Sequence, residues 1–424
     1  MSEAEVIATP LLTPAGGVPE IIDTEPEFKL AITKLASGTG PIAVDAERAS
    51  GYRYSARAYL IQLKRNSDIF LIDPTAFTNS PLITELNQII QATEIILHAS
   101  TQDLPCLREW GLSPKALFDT ELGARLAGLP RVGLGALVEH FFNRSLAKEH
   151  SAVDWSQRPL NQEWINYAAL DVELLIELRD EIAKLLEHEN KLSWAMSEFQ
   201  SILNAPPAPP REDPWRRTSG MHKIRKREQL AVVRELWIAR DAIAAKSDVA
   251  PGRLLSDNAI TELAVAAPLT TKAFQKTLRP IGLRPRWMEH VDTWVAAILR
   301  AQSSELPAMR LNGDGMPPVK QWRDKFPERY APLTHARDAV GKRALELNMP
   351  AENLITPELV RRICWDQTAP NIDAVSQKLA KLGARTWQVE QVAPLLCAAL
   401  TETEPLIEPT EPVEPVESGA AQPE

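Results

Sequence analysis

Three apolar runs fall within residues 41–73, and their spacing restricts the architecture more than any other feature. Pro41-Ile42-Ala43-Val44-Asp45, Ala58-Tyr59-Leu60-Ile61-Gln62-Leu63 and Asp68-Ile69-Phe70-Leu71-Ile72-Asp73 each read as a buried strand. A parallel crossover needs a dozen or more residues, so the short turn between the last two requires antiparallel pairing. With the first strand they read as a meander. From there the pattern alternates: a helix over 81–91 with apolar residues at 82, 83, 86, 89 and 90, a strand over 93–98, a helix from Ser100 to Trp110 stopped by Gly111, and a strand over 116–119 running into a helix over 120–127. A short helix over 28–35 precedes the first strand. A meander followed by alternation predicts an α/β domain, a mixed sheet with helices on both faces. Helices then dominate, one over 134–142 and a long one over 160–187 introduced by Pro159 and Asn161.

Residues 204–217, NAPPAPPREDPWRR, read as a proline-rich, basic linker that closes a domain over 28–203. Beyond it the pattern is all helical and repeats itself. Ala239-Arg240-Asp241-Ala242-Ile243 returns as Ala336-Arg337-Asp338-Ala339-Val340, and Leu254-Leu255-Ser256-Asp257 as Leu354-Ile355-Thr356-Pro357. Two related helical domains, 218–302 and 303–400, explain the recurrence. Residues 1–27 hold six acids and 401–424 hold seven, neither with a Lys or Arg, and both are expected to be disordered tails. The net charge of −9 therefore resides in the ends: the body carries 43 acids against 47 bases and does not exclude a polyanionic partner. The sequence contains no apolar run long enough for a membrane helix and no secretory signal at its start. Cys106, Cys364 and Cys397 lack disulfide or metal spacing, so a cytoplasmic protein, expected to be monomeric, is the reading.

Asp45 and Glu47 end the first strand one residue apart. Strand alternation puts both carboxylates on one face, where they repel unless a cation sits between them. A strand running out into a solvated acidic loop is the bland alternative. Asp103 stands in the first turn of the helix after the fourth strand, where Ser100 and Asp103 also fit a capping box. Tyr167 and Asp171 are spaced i,i+4, which puts phenol and carboxylate on one helix face.

Asp45, Glu47, Asp103 and Tyr167/Asp171, in this order on strand, helix and helix, resemble the DEDD superfamily of 3′→5′ exonucleases. The Tyr four residues before the last Asp marks its DEDDy branch; the His-type base would stand at Asn166. Arg57-Ala58-Tyr59-Leu60-Ile61-Gln62-Leu63, Asp154-Trp155, Arg158-Pro159-Leu160 and the paired helical domains are similar to the ribonuclease D family, with its HRDC modules. The resemblance covers about 28–400; one departure is Ala46, where many relatives carry Thr. It implies a ribonuclease H-like 3′→5′ exonuclease domain followed by two HRDC-like domains. It further implies that Asp45, Glu47, Asp103 and Asp171 hold two divalent ions, Mg²⁺ or Mn²⁺, with Asp45 bridging them. Glu47 and Asp171 would complete the nucleophile-side ion and Asp103 would hold the other, partly through water. Tyr167 would orient the attacking water, since a phenol near pKa 10 is a poor base at neutral pH. The implied activity is release of nucleoside 5′-monophosphates from RNA 3′ ends, in tRNA precursors or other small structured RNAs. DNA as substrate, or a catalytically inactive nucleic-acid-binding protein, are the competing readings.

Further candidates are His98, read as a hydrogen-bonded strand end, and Gln102, a contact to the terminal nucleotide or a solvated cap. Arg48, Tyr52 and Arg53 could meet nucleic acid or form a solvated loop. The bases between Arg216 and Arg227 offer a site for phosphates or a solvated linker. Trp237, Trp294 and Trp365 are expected in the helical cores.

Overall fold

The fold is that of a computed structural model describing residues 8–146, 153–207, 209–309 and 315–406. The chain divides into two compact units, 1–312 and 313–424.

The first unit is built on a six-stranded sheet. Its strands are β2 (Ile21–Ile22), β3 (Ile42–Arg48), β4 (Ala58–Arg65), β5 (Asp68–Ile72), β6 (Glu94–Leu97) and β7 (Ala116–Asp119), in the order β2-β5-β4-β3-β6-β7. β3 to β5 form the expected antiparallel meander, while β6 and β7 continue parallel to β3. This is the ribonuclease H-like arrangement, with β3 in the middle and its residues 45–48 running past the end of β6. Residues 42–44 and 58–63 are buried, as continuous apolar runs covered on both faces require.

Helices α1 (Glu25–Ser37), α2 (Leu82–Ala92), α3 (Leu104–Trp110), α4 (Thr120–Leu126) and α5 (Leu134–Phe142) match the expected segments within a few residues. The long helix over 160–187 is instead two, α6 (Gln162–Glu173) and α7 (Leu175–His188), broken at Leu174. The buried Lys64 ammonium donates to the Glu173 carbonyl at the break and satisfies an acceptor that the end of α6 leaves open. Helix α8 (Leu192–Asn204) follows.

Residues 8–27 are ordered, contrary to the expected acidic tail; residues 1–7 lie outside the described ones. Strand β1 (Thr9–Pro10) pairs in parallel with β8 (Arg144–Ser145), and β2 extends the sheet beside β5. Asn166 Nδ2 donates to Leu12 O at 2.7 Å, and Ala15 N–H to Glu173 Oε1 at 2.9 Å. The acids that suggested disorder have structural work: Glu25 and Glu27 sit in the first turn of α1, facing the positive end of its dipole. Of the C-terminal tail, 407–424 lies outside the described residues.

The linker does not separate two compact units: 28–203 and the first helical set share the unit 1–312. That set runs from α9 (Arg227–Ser247) through α10 (Pro251–Leu254), α11 (Asp257–Ala266), α12 (Thr271–Leu278) and α13 (Pro285–Glu289) to α14 (Val291–Ser303). Its core includes Leu236, Leu263, Phe274 and the expected Trp294, with Trp237 packed against it. The second unit repeats the plan: α15 (Trp322–Lys325), α16 (Pro327–Glu346), α17 (Ala351–Leu354), α18 (Pro357–Trp365), α19 (Ile372–Lys381) and α20 (Thr386–Ala399). The recurring segments fall on α9 with α16, and from α10 into α11 with α17 into α18. No helix among the described residues is long and apolar enough to cross a membrane.

Candidate active site

Asp45 and Glu47 leave the C-terminal half of β3 on the face that α6 covers. Asp171, from α6, joins them, and oxygens of the three carboxylates lie within 4.8 Å of one another. Asp103 stands in the turn after β6, the strand paired in parallel with the first half of β3. All four acids and Tyr167 line one cavity of about 290 Å³. A second, of about 510 Å³, adjoins it through Leu134, Tyr167 and Asp171 and reaches Arg131 and Glu139.

The electrostatics are those of a site short of positive charge. Burial raises the Asp45 pKa to about 6, against the backbone N–H of Ala46 and the charge of Arg48. Asp103 is pushed up to about 8 by burial and then by Asp45. Glu47 and Asp171 are driven well above the carboxylate range, first by burial and then by neighbouring acids. The only cation among these influences is Arg48, whose Nη2 lies 3.5 Å from Asp103 Oδ1. Four half-to-fully buried carboxylates sharing one guanidinium fit a hard divalent cation, which takes oxygen ligands and needs them ionised. Tyr167 is hydrogen-bonded to Asp171, the i,i+4 contact expected from the sequence. Burial and the nearby carboxylates raise its phenol further, which keeps the hydroxyl protonated.

The turn carrying Asp103 is held differently from the capping box. Asp103 takes helical backbone angles and caps nothing with its side chain. Ser100 is buried and turned away, donating Oγ to Asp119 Oδ2 at 2.7 Å. Asp119, at the end of β7, also accepts from the Ser100 and Ala99 N–H groups and caps α4 through Leu122 N–H at 3.0 Å. It therefore fixes the turn that presents Asp103, a role not anticipated; its only sequence signal is an Asp between a strand and a helix.

The other candidates separate. His98 lines the cavity, yet its Nδ1 is 2.9 Å from Thr120 Oγ1 and burial lowers its pKa, as a hydrogen-bonded strand end requires. Gln102 is an exposed residue at the cavity wall. Tyr52 lies beneath the Arg253 guanidinium, 3.9 Å from the ring centre, and Arg53 donates to Ser156 Oγ at 2.8 Å. Within the basic stretch Arg216 pairs with Asp213, Lys223 with Glu262, and Arg227 donates to the Leu306 and Pro307 carbonyls. Arg217, Arg225 and Lys226 are exposed.

Residues 19–187 match the family described as 3′-5′ exonuclease, 229–290 the HRDC domain, and 315–400 the 3′ to 5′ exonuclease C-terminal domain. A ribonuclease D from a Jannaschia species is 30% identical over 312 residues, covering 70% of this chain and 78% of its own. The chain belongs to the ribonuclease D family. The ribonuclease D of Gluconacetobacter diazotrophicus is 31% identical over 244 residues, which are 55% of this chain and 60% of that protein's length. A crystal structure of a Bifidobacterium adolescentis protein superposes with a TM-score of 0.84 at 38% identity, covering 93% of this chain and 99% of that one. Residues 315–400, where the repeat predicted a second HRDC-like module, thus match a family of their own, described as the 3′ to 5′ exonuclease C-terminal domain.

Proposed function

We propose that the chain is a divalent-cation-dependent 3′→5′ exoribonuclease that releases nucleoside 5′-monophosphates. The observation that carries this reading is the convergence of Asp45, Glu47 and Asp171 within 4.8 Å, with Asp103 and Tyr167 in the same cavity. Two ions, Mg²⁺ or Mn²⁺, would supply a lowered pKa for the attacking water and compensation for charge developing on the phosphate and leaving oxygens. Asp45, Glu47 and Asp171 would hold one of them, with Asp45 shared and Asp103 on the other. Tyr167, protonated and bonded to Asp171, orients the water. Asp119 and Ser100 keep the Asp103 turn in place, and Arg48 faces the incoming phosphate at the cavity rim. The substrates proposed are 3′ ends of tRNA precursors or other small structured RNAs, acted on by a monomer in the cytoplasm. Exposed Arg217, Arg225 and Lys226 are the part of the basic stretch left to meet RNA phosphates.

The test is digestion of matched 5′-labelled RNA and DNA oligonucleotides, single-stranded and hairpin, with Mg²⁺, Mn²⁺ or EDTA. Cation-dependent shortening of RNA from its 3′ end, with mononucleotide products, is expected. Preferential digestion of DNA would point to a DNA exonuclease. No cation-dependent release at all would leave a nucleic-acid-binding protein.

A further inference from the structure

Gln62 stands out in the middle of β4. It is a polar residue in a run of buried apolar ones and is itself 0% exposed. Neither its Nε2 nor its Oε1 has a hydrogen-bond partner among the described residues. A buried amide with both ends unpaired is costly, and a chain has an apolar alternative at such a position. Gln62 is also directly opposite Asp45 in the β3–β4 register, so the two side chains leave the same face of the sheet. Directly opposed side chains start about 5 Å apart at Cβ, within reach of a glutamine amide. Its neighbours on that face leave no competing use. Leu60, opposite Glu47, is apolar, and Lys64, opposite Ala43, is committed to the Glu173 carbonyl. Above lies α6, presenting buried Ala168, Ala169 and Val172 beside Asp171.

We propose that Gln62 is a positioning residue for the cation-loaded site, its amide N–H steadying the Asp45 carboxylate once a divalent ion engages that group. Carboxylates that ligate metals are themselves hydrogen-bonded, and removing such support typically weakens metal affinity ~10–100-fold. In the metal-free structure the amide makes no bond to Asp45, and its two unpaired polar atoms are a net burden on the fold. This inference rests on the proposed function, since it assumes that Asp45 binds a cation.

The two roles have opposite signs, which makes a test possible without measuring catalysis. Gln62→Met keeps the shape and removes both polar atoms. In EDTA the variant is expected to unfold at a higher temperature than the wild type, because the unpaired atoms are gone. In calorimetric titration with Mn²⁺ it is expected to bind ~10–100-fold more weakly. A lower unfolding temperature in EDTA, or failure to fold, would show that the amide already serves the metal-free structure and overturn the proposal. Unchanged Mn²⁺ affinity would overturn it as well. Asp45→Asn, titrated in parallel, keeps the two failures apart: wild-type Mn²⁺ affinity there would remove the cation site itself, whatever Gln62→Met does.

Discussion

Asp45→Asn should separate two properties that the acidic cluster sets against each other, stability without cation and binding of cation. Burial moves the Asp45 pKa from 3.8 to about 6. At ~1.4 kcal/mol per pH unit, ionising it in the metal-free fold costs up to ~3 kcal/mol. The folded-state value lies above the unfolded one, so the cost is absent below about pH 4, grows as pH rises, and is complete above about pH 6. Asparagine is neutral throughout. In EDTA at about pH 8 the variant should therefore be the more stable protein, with a melting temperature several degrees higher, and near pH 4 the two should converge. The same substitution removes a charged oxygen ligand, so Mn²⁺ binding should be lost and nuclease turnover should fall ~10³-fold or more. Thermal melts at the two pH values and one Mn²⁺ titration suffice. A variant less stable than the wild type at about pH 8 in EDTA, or one that binds Mn²⁺ equally well, would refute the reasoning.

Cation affinity should rise between about pH 6 and pH 8, because Asp45 and Asp103, at about 6 and about 8, must lose their protons to ligate; a flat calorimetric profile would contradict this. Tyr167→Phe should lower turnover on the order of 10²-fold and leave Mn²⁺ affinity nearly unchanged, since it removes an orienting hydroxyl and no ligand. Equal losses in both would reassign Tyr167 to the cation. Asp248→Ala removes acceptors for Ser55 N–H and the Tyr59 hydroxyl and a partner of Arg57. It should cost ~1–2 kcal/mol and speed hydrogen exchange at 51–57 while 60–63 keeps its protection.

Much of the candidate site's clustering was legible because its signals are local. The D-x-E pair needs only strand alternation, and Tyr167 with Asp171 needs only the helical repeat. The sheet was legible for the same reason, as three closely spaced apolar runs leave few ways to pair. What sequence concealed depends on partners distant in the chain. Asp119 acts on Ser100, and no spacing rule connects a strand-ending Asp to a turn in another connection. The break at Leu174 is matched by Lys64, more than a hundred residues earlier. Acid-rich composition concealed the order of 8–27, because the contacts that fix it, from Asn166 and Glu173, come from a helix much later in the sequence. Gln62 was visible only as one polar letter in an apolar strand; its lack of partners is a property of the packed sheet.

The loop after Glu47 shows why the exonuclease fold and the first helical set form one compact unit. Sequence alone left Arg48, Tyr52 and Arg53 open to nucleic acid or to a solvated loop, and the structure gives most of this loop's side chains and carbonyls partners within the protein. Ala250 N–H donates to Tyr52 O at 3.0 Å, Arg253 to Gly51 O at 2.8 Å, and Tyr54 to Asp241 at 3.2 Å. Asp248, in the left-handed position that ends α9, takes Ser55 N–H at 2.9 Å. These contacts start four residues after a metal-ligand candidate, and Gly51 and Tyr52 share a cavity of about 290 Å³ with Glu47 and Arg48. Backbone bonds of this kind leave a loop little freedom to adapt, so the wall beside the acids is shaped by α9 and α10 as much as by the sheet. A chain cut at the linker would keep every carboxylate and lose that wall. Such a fragment would report on loop order and on nucleic-acid contacts together, whereas substitutions at the exposed Arg217, Arg225 and Lys226 leave the loop's partners in place and separate the two effects.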